Sequence, residues 1–228
     1  MKRISPWVAQ ICDRRSGRVI FLAHCLLNEN TRYLGGARRG GAVREIVQQC
    51  LDHDIGIVQL PCPEQHAWGG VLKCRLLGFF GSQGTVRYRL RGMLLPLMIW
   101  YTRRVYRRLA RQAAALISDY QQAGFTVAAI VGIDASPSCG VSKTLAMDHA
   151  LEQIGRLRRG ASTAEEMNAI VRGNTIAGRG LYIELLQAEL NQRGIRIPFD
   201  AHDLVAELEG KPSSVEIAAL VGSGTSGR

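Results

Sequence analysis

Three runs of almost unbroken apolar residues, each closed at its carboxyl end by a turn that contains a cysteine, constrain this chain more than any other feature. The runs are 18–23 (RVIFLA), 55–60 (IGIVQL) and 125–133 (FTVAAIVGI). None alternates apolar with polar residues over its core, so each needs cover on both faces, as strands inside a parallel sheet do. Helical patterns lie between them. Residues 42–53 place Val43, Ile46, Val47, Cys50 and Leu51 at helical spacing, and 103–123 does so with Val105, Leu109, Leu116 and Ile117. Residues 164–172 and 181–193 read as further helices, and 195–199 as a last short strand. The alternation predicts an α/β fold, a parallel sheet flanked by helices. In such sheets ligands sit beyond the carboxyl ends of the strands, where the cysteines are.

The chain's 228 residues, 46% hydrophobic and 21% charged, support one sizeable core and exclude a disordered or collagen-like chain. We read 1–221 as a single α/β domain and the Gly/Ser-rich 222–228 as a flexible tail. Residues 69–92 break the alternation, and a basic insertion is expected at about 75–102. Segments 155–160 and 173–180 read as loops. The longest apolar run, 93–101, contains Pro96 and falls well short of the roughly 20 residues that span a bilayer. Residues 1–18 start basic but contain no apolar core of a signal peptide. A cytoplasmic protein is therefore expected, with thiols reduced and free for metals or catalysis.

Cys25 follows the first run in His24-Cys25-Leu26-Leu27-Asn28. Cys62 follows the second in Pro61-Cys62-Pro63-Glu64, and Cys139 the third in Ser136-Pro137-Ser138-Cys139-Gly140. The sheet reading brings all three to one rim. Three thiolates suit a soft metal centre, and an iron–sulfur cluster is the natural candidate. Three ligands on a four-iron cubane leave one iron open to act as a Lewis acid. From spacing alone, the three are either such a site or small buried hydrophobes. Cys12 and Cys50 read as the latter. Cys74, beside Lys73, reads as either a fourth ligand or a plain loop thiol. No CxxC pair occurs, which speaks against a structural zinc finger.

The same residues resemble the 2-thiouracil desulfurase family. Cys25-Leu26-Leu27 with Arg32-Tyr33-Leu34-Gly35 resembles its opening motif. Cys62-Pro63-Glu64 with Gly69-Gly70 resembles its second, and Ser136-Pro137-Ser138-Cys139-Gly140 its third. The resemblance covers roughly residues 19–144. It implies a [4Fe-4S] cluster held by Cys25, Cys62 and Cys139, with the fourth iron taking a substrate sulfur. It maps the family's motif glutamate onto Glu64 and a motif serine onto Ser136. Asn28-Glu29-Asn30 and Thr31 depart from the family's opening loop, and no Pro-Arg pair follows the double glycine. The implied substrate is accordingly a thiolated nucleobase or a similar thioamide-type small molecule.

Replacing C=S by C=O needs water activated at carbon, and Glu64, held behind the fixed φ of Pro63, is the first candidate for that proton transfer. Asp134 reads as a second carboxylate or as the acceptor of an Asx turn. Ser136 and Ser138 read as donors to substrate or as turn caps. His24 reads as a tuning group or a structural histidine, and Asn28 as a substrate contact or a loop stabiliser. Arg179, between Gly178 and Gly180, reads as part of an anion-binding loop or a plain helix start. No GxxxxGK[ST] and no GxSxG motif occurs, so neither a phosphate-cradling loop nor a nucleophile elbow is present. Between Glu64 and Asp119 there is no acidic residue but ten basic ones. Arg103, Arg107 and Arg111 share a helical face, while Arg87 and Arg89 alternate with Val86 and Tyr88 as on a strand edge. This stretch is a solvated face, an RNA or other polyanion site, or an apolar–basic contact for an anionic membrane or a partner. A non-catalytic RNA-binding protein is the alternative to the enzyme.

Overall fold

The computed structural model describes residues 13–76, 86–157 and 163–222. The chain runs β1 (Arg18–Leu22), α1 (His24–Leu27), α2 (Arg44–Asp52), β2 (Gly56–Gln59), α3 (Pro63–Ala67), α4 (Val86–Arg89) and α5 (Arg91–Gln122). It continues through β3 (Thr126–Asp134), β4 (Lys143–Leu145), α6 (Met147–Arg156), α7 (Ala164–Gly173), β5 (Thr175–Ala177) and α8 (Leu181–Gln192). It closes with β6 (Phe199–Asp203), α9 (Leu204–Leu208) and α10 (Ile217–Gly222).

Four strands form an all-parallel sheet in the order β2-β1-β3-β6, flanked by helices. Phe21 of β1 pairs with Val58 on one side and Ile130 on the other. The two inner strands carry the longest buried runs, Val19–Leu22 and Val127–Asp134. Each fully buried aliphatic side chain there contributes about 1.5–3 kcal/mol, so the apolar runs set the sheet's centre. The chain leaves β1 to one side for β2 and returns on the other side for β3. That reversal opens a crevice at the carboxyl ends of β1 and β3, the position at which open α/β sheets bind ligands.

Several elements differ from the sequence reading. The last strand is Phe199–Asp203, not 195–199, because Ile195 N–H is bonded back to Leu190 at the end of α8. Polar residues are tolerated in this edge strand because they are partnered. His202 Nε2 meets Glu207 Oε2 at 2.6 Å, and Asp203 caps α9 through Val205 and Ala206 N–H. The arginine helix starts at Arg91 rather than 103 and contains Pro96. Pro96 is the sixth residue of that helix, past the unpartnered N–H groups of the first turn, so it forfeits one backbone hydrogen bond there. Arg87 and Arg89 lie in the helical turn α4, not on a strand edge. Segment 173–180 carries β5, antiparallel to β4, and Gly155 and Arg156 close α6. Cys12, part of the expected insertion (77–85), residues 158–160 and the tail beyond Gly222 lie outside the described residues. Among the described residues, no helix is long and apolar enough to cross a membrane.

Candidate functional site

The three strand-end turns form one cavity of about 140 Å³, partly open to solvent, whose lining includes Cys25, Cys62, Cys139, Glu64 and Ser136. Cys25 lies in α1 directly after β1. Cys62 is the N-cap residue of α3, where Pro63 at the first position starts the helix. Cys139 stands in the turn after β3. Cys50 is fully buried in α2, away from the cavity lining. Cys74 is exposed and also lies outside that lining.

The Cys139 turn is tightly built. Asp134 Oδ1 accepts the N–H groups of Val141, Ser142 and Lys143 at 2.8, 2.9 and 3.1 Å, so Asp134 folds the turn. Ser136 Oγ accepts Cys139 N–H at 3.1 Å. Ala135, between them, has φ of 65°, a left-handed conformation that costs a non-glycine residue energy. The first N–H groups of α8 are bonded to this same turn: Leu181 to Pro137 O at 3.0 Å, Tyr182 and Ile183 to Ser138 O at 3.1 and 3.2 Å. The helix start beside Arg179 therefore anchors the cysteine turn and has no N–H groups left for an anion. Arg179 itself lies over the Phe199 ring. A Cβ on Gly180 would sit 2.4 Å from the Ser138 carbonyl, so only glycine permits this approach.

Glu64 joins the turns. Its Oε1 accepts Ser138 Oγ at 2.8 Å and Ser136 Oγ at 3.4 Å, and Lys73 Nζ lies 3.3 Å from its Oε2. Lys73 Nζ also donates to Thr31 O at 2.8 Å. Lys73 is buried, with φ of 54°. In the sequence Lys73 reads as a neighbour of Cys74 and as one of the ten basic residues of the acid-free stretch. Its signal was a lone lysine in an arginine-dominated stretch, just after the double glycine. Arg32, in the opening motif, was likewise quoted without a role, yet it lines the cavity. Asn28 Oδ1 accepts Asn30 N–H and caps a local turn, while His24 contacts the Gln59 side chain.

Burial pushes the Cys25 thiol up to about 11, with Arg32 and Lys73 opposing and Glu64 adding. Burial, Glu64 and Cys25 raise Cys62 to about 12. Cys139 is pushed well above its ordinary value by burial and then by Cys25, Cys62 and Glu64. The three sulfurs thus feel one another: as bare thiolates they repel, and they ionise together only against added positive charge. Among the described residues, no three His, Cys, Asp or Glu side chains converge closely enough to hold a single metal ion. The donor set is therefore three soft thiols spread around a multi-atom space rather than focused on a point.

No protein-family model matches the chain, and no solved structure matches it. Among curated proteins it is similar to an uncharacterized protein of Methanocaldococcus jannaschii, 43% identical over 47 residues. That match covers 21% of this chain and 30% of the relative's length.

Proposed function

We propose that the cavity holds a [4Fe-4S] cluster through Cys25, Cys62 and Cys139 and removes sulfur, without net redox change, from a thiolated nucleobase or similar thioamide-type compound. The observation that carries this is the shared cavity: three thiols from three strand ends, with Glu64 and Ser136 among them. Soft thiolate donors favour iron–sulfur ligation, and a cationic metal group relieves the repulsion between neighbouring thiolates. When bound, the group supplies an open iron, a Lewis acid for a substrate sulfur. The chain's own residues do the rest. Water adds at the thiocarbonyl carbon and sulfur leaves as hydrogen sulfide, so C=S becomes C=O. Glu64 takes the proton of the attacking water. The Ser136 and Ser138 hydroxyls and Lys73 hold the two Glu64 oxygens in place. Leu72, Leu76 and Trp68 line the same space and limit bulk water.

The test is anaerobic purification with iron and acid-labile sulfide analysis. Cys25→Ala, Cys62→Ala and Cys139→Ala should each lose the iron, while Cys50→Ala and Cys74→Ala keep it. Full iron in any of the first three removes that thiol from the site, and colourless, iron-free wild-type protein after reconstitution sinks the reading.

The exposed arginines of α5 favour a second, separable activity: binding of RNA or another polyanion. Arg103, Arg104, Arg107 and Arg108 are exposed. Arg111, on the same face, is paired with Glu189 at 3.0 Å, so Arg103 and Arg107 are its stronger phosphate contacts.

A further inference from the structure

The face of α5 turned away from the core changes character along its length. Met93, Leu97 and Trp100 stand four and three residues apart, so they share one side of the helix. They are 70%, 61% and 58% exposed. Leu90 and Val86 continue the stripe toward the amino-terminal end and are exposed as well. The opposite side of α5 is committed to the core through Met98, Tyr106 and Leu109.

One turn beyond Trp100 the outward side becomes basic. Arg104, Arg107 and Arg108 follow at the same spacing, with Arg103 beside them, and all four are exposed. Arg104 lies over the Trp100 ring at 5.8 Å, so the apolar and basic halves meet there. Arg111 ends the stripe, paired with Glu189. The sequence holds no acidic residue between Glu64 and Asp119, so no carboxylate on this stretch of chain cancels the charge.

Large apolar side chains standing together in water mark a surface that another body covers. That body must be apolar against one half of the stripe and negatively charged against the other. A nucleic acid answers the arginines but leaves Met93 and Leu97 wet. A bilayer surface answers both at once: its acyl boundary takes the apolar side chains, its phosphates take the guanidinium groups, and tryptophan suits the level between them. Among the described residues, no helix is long and apolar enough to cross a membrane, so the contact lies in the plane of the surface.

We propose that α5 docks on an anionic lipid bilayer, with Met93, Leu97 and Trp100 entering the headgroup boundary and Arg103, Arg104, Arg107 and Arg108 set among the lipid phosphates. This rests on the polyanion reading of the arginines and names the polyanion. The thiol cavity takes no part in it.

The experiment is co-sedimentation of the anaerobically purified full-length protein with vesicles of phosphatidylcholine, alone or mixed with phosphatidylglycerol. A basic side chain near an anionic surface adds about fivefold to affinity, so the mixed vesicles should bind about tenfold or more tightly than the neutral ones. Leu97→Gln with Trp100→Gln changes two exposed positions and should leave thermal unfolding as in the wild type. It should weaken binding to the mixed vesicles by about tenfold or more and leave binding of a single-stranded RNA unchanged. Undiminished vesicle binding in that variant makes the contact purely electrostatic and overturns the proposal. If the variant does not fold, Trp100→Phe decides: brominated lipid in the mixed vesicles should quench the tryptophan emission of the wild type more than that of Trp100→Phe, and equal quenching overturns the proposal. RNA binding without vesicle binding overturns it and leaves the polyanion reading, whereas binding of neither overturns both. A wild-type dimer that Leu97→Gln with Trp100→Gln turns monomeric makes a second copy of the chain the occupant, which also overturns it.

Discussion

Glu64 is the residue on which the proposed chemistry turns, because its carboxylate joins Ser136, Ser138 and Lys73 beside the three thiols. Its Oε1 is committed to Ser138 and Ser136, and its Oε2 faces Lys73. Glu64→Gln keeps an acceptor for the serines but removes the base. We expect unchanged iron content and sulfide release slower by about 10²–10⁴-fold, the usual range for a positioned acid–base group. Wild-type turnover in that variant would remove Glu64 from the proton transfer. Gly180 shows how little room the site leaves. Gly180→Ala places a methyl against Ser138 O and C, both at 2.4 Å. The cysteine turn or the helix start must move, at a cost of about 1–3 kcal/mol. A lowered denaturant midpoint with an unchanged slope is the expected reading. An unshifted midpoint would mean that the turn yields freely.

At the scale of elements, two helices serve the site in opposite ways. The start of α8 is bonded to Pro137 O and Ser138 O and so fixes the Cys139 turn. The long α5 packs one face inward through Tyr106, Leu109, Ala110, Ala113 and Ile117, all buried. The Tyr106 ring bridges Trp68 of the cavity wall and Tyr182 of α8, each at 6.3 Å between centroids. The opposite face exposes the arginines, so charge changes there should leave the cavity untouched. If that face binds RNA, Arg103→Gln with Arg107→Gln should shallow the slope of log K against log salt by about 1.4, at roughly 0.7 per single-strand phosphate contact. Sulfide release from a free thiolated base should stay at the wild-type rate. A salt slope unaltered by the pair would end the RNA reading for this face.

On the scale of the whole molecule, a buried charge cluster ties the opening loop to the last elements. Arg32 and Arg39 both reach Glu29 and Glu207, and Glu207 also meets His202 of β6. Burial alone would raise the Glu207 carboxyl. The His202 hydrogen bond and the Arg32, His202 and Arg39 charges prevail and hold it down at about 2, against an ordinary 4.5. A depressed carboxylate stabilises the fold fully above its unfolded value and loses that contribution as pH falls through the folded one. Thermal stability should therefore drop between pH 4.5 and about 2. Glu207→Gln should remove most of this dependence and cost about 3–5 kcal/mol at neutral pH, because buried Arg32 loses one of its two carboxylate partners. A variant as stable as wild type at pH 7 would show that the cluster carries no net stability.

Much of the architecture was legible in local pattern. Unbroken apolar runs need cover on both faces, which makes a parallel sheet, and that sheet turns its strand ends to one rim. The positions of Cys25, Cys62 and Cys139 at those ends, and of Glu64 two residues beyond one of them, follow from the order of residues along the chain. What local pattern does not contain is pairing between distant segments. The edge strand Phe199–Asp203 is polar, and the more apolar 195–199 reads as the last strand in its place until Glu207 and Ser213 satisfy His202. Lys73 reads as one more solvated cation until Thr31 O and Glu64 enclose it. Arg32 reads as a motif residue until Glu207, 175 positions away, takes Nη1 and Glu29 lies beside Nη2. Apolar burial is written in each segment's own periodicity. The partner of a buried charge is chosen by whichever distant group the fold brings within about 3 Å, and only the tertiary structure makes that choice.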